Sequence, residues 1–575
     1  MRCTFTSVIL LLLASSLALA APDSPPPSPE RFDWDLAGQI AVQAGGRVKP
    51  LDSYARELVK SIHGRSSYAH QHPVESYFHW MSDGEKWAGE PLVYLPKNDL
   101  RKRLGLHEEK GNHFSLLSLR SRSELMSLVM EAQSREEEGE KLTFTQTKAR
   151  DLLFRMGALS DVFIHEAPLF VPTADPEVAW FSMPEVITRL EDSTSILPED
   201  EHLIALGFMA MYNAVGDERS DIFNSGAHVI IEAQRTMLVN QERLLSKLDW
   251  EYRLNRLNPF LWAKVLLIHG FVFFFASLRS AWSRWKKVAF IQLLGGWAIY
   301  TFGMALRMYI AGRAPWSNMY ESLLAIGWAL VLLAVIFEAI RRDRLFGAAG
   351  TLLGTIVLGL AQFASLDRGI NPLVPALQSY WLNYHVIVTL AAYACFALAM
   401  AVGHVVLISG VRSKGQVTSA IAQLTRANLR IIQIGSLFLI AGILLGAVWA
   451  NVSWGRFWGW DPKKTWALIC WFVYIILLHG RSAGWLAWRG LAVASVAVFP
   501  VVVMTYYGVN YYLSGLHSYG AGSSPGIPWQ VFAYLGAEAL FLAWALWKLR
   551  GTGRPHPAAA IESEEASALT TEVAS

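Results

Sequence analysis

The placement of apolar residues constrains this chain more than any other feature. From about residue 257 to 550, long apolar runs are centred near 268, 299, 330, 355, 396, 440, 472, 501 and 538. Crossing the hydrocarbon of a bilayer takes about 20 such residues in a helix, and the helix satisfies its own backbone there. The runs predict about nine transmembrane helices. Between 22 and 256 no run is long enough to span, and charges are frequent, as in Arg101-Lys102-Arg103 and Glu136-Glu137-Glu138. Helical periodicity over 116–133 and 201–248 marks this stretch as mostly helical. The expected fold class is an α-helical polytopic membrane protein with an N-terminal, mostly helical extracytoplasmic domain.

Composition agrees with this division and excludes other classes. Only 17% of the 575 residues are charged and 53% are hydrophobic, where soluble domains carry about 25% charge. Three cysteines exclude a disulfide scaffold, and a net charge of +3 gives no argument for nucleic acid. Residues 8–20 form a short apolar run behind Arg2, ending in Ala18-Leu19-Ala20 before the proline-rich stretch 22–29. This reads as a signal peptide over 1–20, the alternative being an uncleaved anchor. Either form exports the N-terminal domain.

Charge in the links sets the topology. If the first helix enters from outside, the inside links carry Arg279, Arg284, Lys286, Lys287, Arg341, Arg342, Arg344, Arg412, Lys414, Arg426, Arg430, Arg481 and Arg489, and the outside links few cations. That asymmetry follows the positive-inside rule. The expected organisation is a signal peptide (1–20), an extracytoplasmic domain (21–256), a transmembrane domain (257–550) and a disordered cytoplasmic tail (551–575).

The outside loops carry the chemistry. One reads Trp449-Ala-Asn-Val-Ser-Trp454-Gly-Arg-Phe-Trp458-Gly-Trp460-Asp461-Pro-Lys-Lys-Thr-Trp466. Indoles at a membrane interface are ordinary, so an aromatic belt is one reading. Five in eighteen residues, interleaved with Gly455 and Gly459, also suit a large planar apolar ligand. Asp461 before Pro462 reads as a helix cap, with a proton donor as the alternative. His385 and His517 lie on segments flanking this loop. Neutral imidazole ligates transition metals and haem iron, so two axial imidazoles beside a wall of indoles would form a haem site. Two lone surface histidines are the bland alternative. His269, His404 and His479 fall within the apolar runs, where ionisable groups are costly. His479, close to Arg481, either snorkels to the interface or ligates iron; His269 is the best partner for it within the chain. In the N-terminal domain His63, His70, His72 and His79 fit no standard zinc spacing, which leaves surface or core roles beside a metal site.

Residues from about 290 to 548 resemble the CcsA (ResC) family of cytochrome c biogenesis proteins, the haem-handling component of System II. The segment 454–466 resembles that family's tryptophan-rich WWD signature, and Gly446-Ala-Val-Trp449-Ala-Asn and the segment 471–479 match its flanks. Pro315-Trp-Ser317-Asn318-Met-Tyr320-Glu321-Ser322, Pro372-Leu-Val-Pro375-Ala-Leu and Gly515-Leu-His517-Ser-Tyr519-Gly match further motifs in order. Lys464 stands where the family commonly has an acidic residue. Upstream the resemblance thins: no helices like those of CcsB (ResB) precede residue 257, and only Gly45-Gly-Arg47-Val-Lys49-Pro-Leu-Asp52 resembles extended members of the group.

The resemblance implies a role in cytochrome c biogenesis with haem b as substrate and ligand. His385 and His517 correspond to the two periplasmic histidines that hold haem iron. Trp449, Trp454, Trp458, Trp460, Asp461 and Trp466 correspond to the porphyrin cradle. His479 corresponds to a transmembrane histidine of an inner site, whose partner is His269 or comes from a separate CcsB/ResB-like membrane subunit. Haem would be positioned for thioether attachment to the CxxCH of an apocytochrome c, as part of a holocytochrome c synthase (haem lyase). The alternative is a non-catalytic haem transporter that hands haem to a separate lyase. The chain has no CxxC for thiol exchange and no CxxCH, so a separate thiol-reducing protein is expected as a further partner. The implied location is the bacterial inner membrane, with the N-terminal domain and the WWD loop in the periplasm and the C-terminus cytoplasmic.

Overall fold

A computed structural model describes residues 31–140, 142–173, 175, 178–191, 198–278, 284–363, 366–373, 377–513, 515 and 527–550. Residues 1–20, expected from the sequence to be a signal peptide, His517 and residues 551–575 lie outside the described residues. The chain divides into two compact units. One holds Met1–Pro259 with Gly303–Arg313 and Gly369–Pro372; the other holds Phe260–Phe302, Ala314–Arg368 and Leu373–Ser575.

The first unit is mostly helical with two small antiparallel hairpins. Strand β1 (Ala41–Ala44) pairs with β2 (Arg47–Pro50) through Gly45-Gly46. Both turn glycines have positive φ, +60° and +76°, which a tight hairpin turn demands. The hairpin leads into α1 (Leu51–His63), followed by α2 (Pro73–Ser82), α3 (Ser123–Glu137), α4 (Phe144–Phe163), α5 (Glu199–Gly216), α6 (Ser220–Met237) and α7 (Glu242–Leu257). The other hairpin, a two-residue pairing, joins Val93–Tyr94 to His113–Phe114. The core gathers Tyr77, Phe78, Trp80, Phe170 and Phe223 with aliphatic residues of these helices. Arg47 holds Glu251 of α7 with two hydrogen bonds of 2.6 and 2.7 Å, and Lys49 holds Glu57 at 2.7 Å. The periodic stretch 201–248 is helical in three parts, and Glu218 adopts left-handed backbone (φ +55°) between α5 and α6.

The second unit is built from apolar helices. They are α8 (Pro259–Ser277) from Phe260 on, α9 (Trp285–Ala311) as far as Phe302, α10 (Met319–Arg341), α11 (Leu345–Phe363), α12 (Tyr380–Arg412), α13 (Ser419–Trp454) and α14 (Pro462–Ser482). The run near 501 is interrupted: α15 (Trp488–Ala497), α16 (Phe499–Val503), a π turn (Met504–Gly508) and α17 (Val509–Tyr512) succeed one another, and α18 (Trp529–Lys548) ends the described chain. Pro500 lacks an amide hydrogen and sits where the helix breaks between α15 and α16. Among the described residues, nine helical segments are long and apolar enough to cross a membrane. This architecture matches the fold class expected from the sequence.

The antiparallel pair α12 and α13 packs closely because α13 offers small residues on one face. A Cβ at Gly435 would lie 2.7 Å from the Phe396 ring and one at Gly446 2.7 Å from the His385 ring, while Gly442 abuts Thr389.

Candidate functional site

The site is assembled where α12 begins and α13 ends. His385, in the second turn of α12, lies in the notch left by Gly446, and any side chain there would collide with the imidazole. Its Nδ1 is 2.7 Å from the Gly442 carbonyl oxygen. A carbonyl only accepts, so Nδ1 carries the hydrogen and, in the neutral ring, Nε2 carries the lone pair. A turn further along α13, Trp449 lies nearly parallel to His385, with centroids 6.0 Å apart and planes 13° apart. Trp454 packs on Trp449 at 4.7 Å.

Helix α13 stops at Gly455, whose φ of +70° lets its amide return to the Asn451 carbonyl. In the loop between α13 and α14, Trp458 and Trp460 meet edge-to-face at 5.8 Å. Trp449 is 2% exposed and Trp460 79%, so the indoles form two pairs of different character. Lys464 bridges those pairs: its ammonium is 5.9 Å from both the Trp454 and Trp458 rings and donates to the Phe457 carbonyl at 3.1 Å. Asp461 caps α14 by accepting from the Lys463 amide at 3.0 Å. Trp466 lies in the first turns of α14, and its carbonyl accepts from Thr505 at 3.2 Å.

Gly515 runs directly against this cap. A Cβ there would meet Asp461 Oδ1 at 2.5 Å and Pro462 Cδ at 2.9 Å. The segment leaving α17 is thereby tied to the indole loop at Gly515. His517 itself is not among the described residues.

The remaining histidines are dispersed. His479, in the last turn of α14, is exposed and its Nδ1 is 2.9 Å from the Ile475 carbonyl. His269 is half-buried in α8. His404 has both nitrogens engaged: Nδ1 lies 2.9 Å from the Met400 carbonyl and Nε2 2.9 Å from Glu538 Oε2 on α18. Sequence reasoning singled out His404 and missed Glu538, although a lone acid within the apolar run 529–547 was a visible signal. Lys463 was also overlooked as part of the site, hidden among loop cations, and Gly446 was read only as part of a matching flank, not as the notch for His385.

In the first unit His63, His72 and His79 serve local structure, while His70 is exposed. His63 stacks on His113 at 4.1 Å, and its Nδ1 lies 3.1 Å from the Leu92 carbonyl. His72 caps α2, and His79 packs beside Trp34. Burial, the main cause in each case, lowers the pKa of His63, His72 and His79. Among the described residues, no group of three or more His, Cys, Asp or Glu side chains is arranged to hold a metal ion. Cys395 and Cys470 are buried free thiols.

Known proteins share this sequence pattern. Residues 316–517 match the family model described as cytochrome C assembly protein. Protein NrfI of Wolinella succinogenes is 31% identical over 517 residues, which cover 84% of this chain and 54% of NrfI. The chain thus spans about half the length of that relative, and the similarity extends into the first unit. Cytochrome c biogenesis protein CcsA of Synechococcus sp. (strain CC9605) is 35% identical over 299 residues, covering 46% of this chain and 98% of the relative. The protein of the same name from Prochlorococcus marinus (strain MIT 9303) is 38% identical over 257 residues, 39% of this chain and 80% of the relative.

Proposed function

From the premise that this chain belongs to the CcsA family of cytochrome c biogenesis proteins, we propose that it carries haem b through the membrane. At its tryptophan-rich end it presents that haem to an apocytochrome c. The observation that carries the proposal is the setting of His385. Metal-bound imidazoles nearly always donate their other N–H to a carbonyl or carboxylate, which fixes tautomer and ring plane. His385 has that arrangement through the Gly442 carbonyl, with Trp449 nearly parallel beside it.

His385 and His517 would be the two protein ligands that hold the haem iron at this end. Trp449, Trp454, Trp458, Trp460 and Trp466 bound the porphyrin, and Asp461 holds their loop in place by capping α14. His479 is the ligand at the opposite end of the bundle, facing a partner from a CcsB/ResB-like subunit or His269. The WWD loop and the N-terminal domain face the periplasm, behind a signal peptide at 1–20, and the tail is cytoplasmic. The attachment itself is an addition: each CxxCH thiol S–H adds across one vinyl C=C of haem, giving a thioether with no net oxidation. The chain contributes position and iron ligation, while the bond-forming groups belong to haem and apocytochrome. A separate thiol-reducing protein keeps those cysteines reduced, as System II assembly requires.

Absorption spectra of the purified full-length protein test the ligand assignment. Wild type is expected to carry haem with a bis-histidine spectrum, and His385→Ala to lose at least about tenfold in occupancy of that site. A haem-free wild type, or an unchanged spectrum in His385→Ala, overturns the assignment. Co-expression with an apocytochrome and a CcsB-like subunit then separates attachment from transfer. Covalent cytochrome in that combination supports a synthase role, and haem bound without attachment in every combination points to a transporter.

A further inference from the structure

The first turn of α14 holds a cation that haem ligation and stacking leave without a role. Lys463, half-buried, donates from Nζ to the Tyr506 carbonyl at 3.3 Å and to Asn510 Oδ1 at 3.1 Å. The same ammonium lies 5.7 Å over the Tyr506 ring. Its partners sit at the π turn Met504–Gly508 and the turn after it. A π turn widens the helix and disturbs the regular i to i+4 bonding, so carbonyls there are open to other donors. Asn510 Nδ2 donates to the same Tyr506 carbonyl at 2.6 Å.

The contact continues beyond this pair. The Tyr506 hydroxyl is 2.9 Å from Ser322 Oγ and donates to the Met319 carbonyl at 3.3 Å. The Asn510 amide reaches the Met319 sulfur at 3.7 Å. Thr505 donates to the Trp466 carbonyl, and Gly515 lies on Asp461 and Pro462. Three sequence motifs far apart in the chain therefore meet at one knot: the segment 315–322, the tryptophan loop with its cap, and the helix end leading to Gly515. Lys463 is the cation that crosses from the second to the third.

We propose that Lys463 is a positioning residue of the haem-handling site, fixing the first turn of α14, and with it the Asp461 cap and the indole loop, against the π turn of the neighbouring helix. This rests on the haem reading of that loop. Lysine suits the task because one ammonium offers three donors on a long stem. It serves a main-chain carbonyl, a side-chain amide oxygen and an aromatic face at once, where a neutral side chain would take this donor away from Asn510 Oδ1 and leave the Tyr506 carbonyl to the Asn510 amide. The residue touches neither the reacting vinyl carbons nor the thiols; it acts through the loop it holds.

The test compares Lys463→Met, Lys463→Arg and wild type as full-length protein in membranes or detergent. The first measurement does not involve haem. Nitroxides are placed at Phe457→Cys and Leu513→Cys, on either side of the knot, in a Cys3→Ser background; the native Cys395 and Cys470 are buried. Wild type is expected to give one narrow distance distribution, Lys463→Met a broad one, and Lys463→Arg a narrow one again. The second measurement is haem affinity with the axial-ligand spectrum: Lys463→Met weakens retention at least about tenfold while keeping a bis-histidine spectrum in the haem that remains. An unchanged distance distribution in Lys463→Met overturns the proposal. So does a loss of the bis-histidine signature itself, which would make Lys463 part of the iron's surroundings. If wild type binds no haem yet the distances broaden in Lys463→Met, the haem reading fails and the positioning role stands.

Discussion

Two regions of this molecule treat imidazole differently. In the first unit His63 and in the second unit His385 each have Nδ1 against a backbone carbonyl, Leu92 and Gly442 respectively. That bond alone does not distinguish a ligand from a core residue. What differs is the opposite surroundings. His63 stacks on a second imidazole, His113, beside Tyr68, and that packing closes a core. His385 lies in a glycine notch at a helix end, parallel to an indole that begins a tryptophan-rich loop. A fixed tautomer serves ligation only where the second ring nitrogen can reach a metal ion.

The notch is the most direct place to break this comparison. Gly446→Leu puts a side chain where the His385 ring lies, and no rotamer of a leucine avoids atoms 2.7 Å from its own Cβ. Overpacking of this kind costs about 1–3 kcal/mol. The expected outcome is loss of the bis-histidine spectrum in a protein that still inserts and purifies; retention of wild-type haem shows that the notch does not hold the ligand. A smaller effect is expected from Glu538→Leu, which removes the acid from His404. Thermal melts of the detergent-solubilised protein should show about 1–2 kcal/mol of destabilisation with the haem spectrum unchanged. A changed spectrum would make His404 a ligand after all.

The smallest effect belongs to the first unit. Burial depresses the pKa of His63, His72 and His79 in the folded state. Their contribution to stability is complete above the unfolded value of about 6.5 and declines as pH falls through it toward the folded values. Amide exchange over 51–82 in the full chain, corrected for intrinsic rate, should show more frequent opening at pH 5.5 than at pH 7.5. Equal protection at both would remove burial of these histidines as a cause.

Much of this was legible in the sequence because it depends on local pattern. Apolar runs of bilayer length marked the spanning helices, and Asp461 before Pro462 marked a helix start that the structure places there. The runs could not reveal the π turn at 504–508, since its widening reflects packing against α14 and α10 as much as local propensity. They also could not show that Trp449 is buried while Trp460 is exposed, because exposure depends on what the neighbouring helices bring alongside.

The sequence by itself determined that the chain has a charged, mostly helical N-terminal part and a bundle of apolar helices. Its motifs further determined that the bundle belongs with the CcsA proteins. Those conclusions rest on hydrophobic length, periodicity and residue order, each readable along one strand of chain. Only the tertiary structure decided which partners meet: His385 with Gly442 and Gly446, His404 with Glu538, and Lys463 with the carbonyl of Tyr506. Those contacts join residues 43 to 134 positions apart. No local rule specifies them, because they depend on how helices already formed settle against one another.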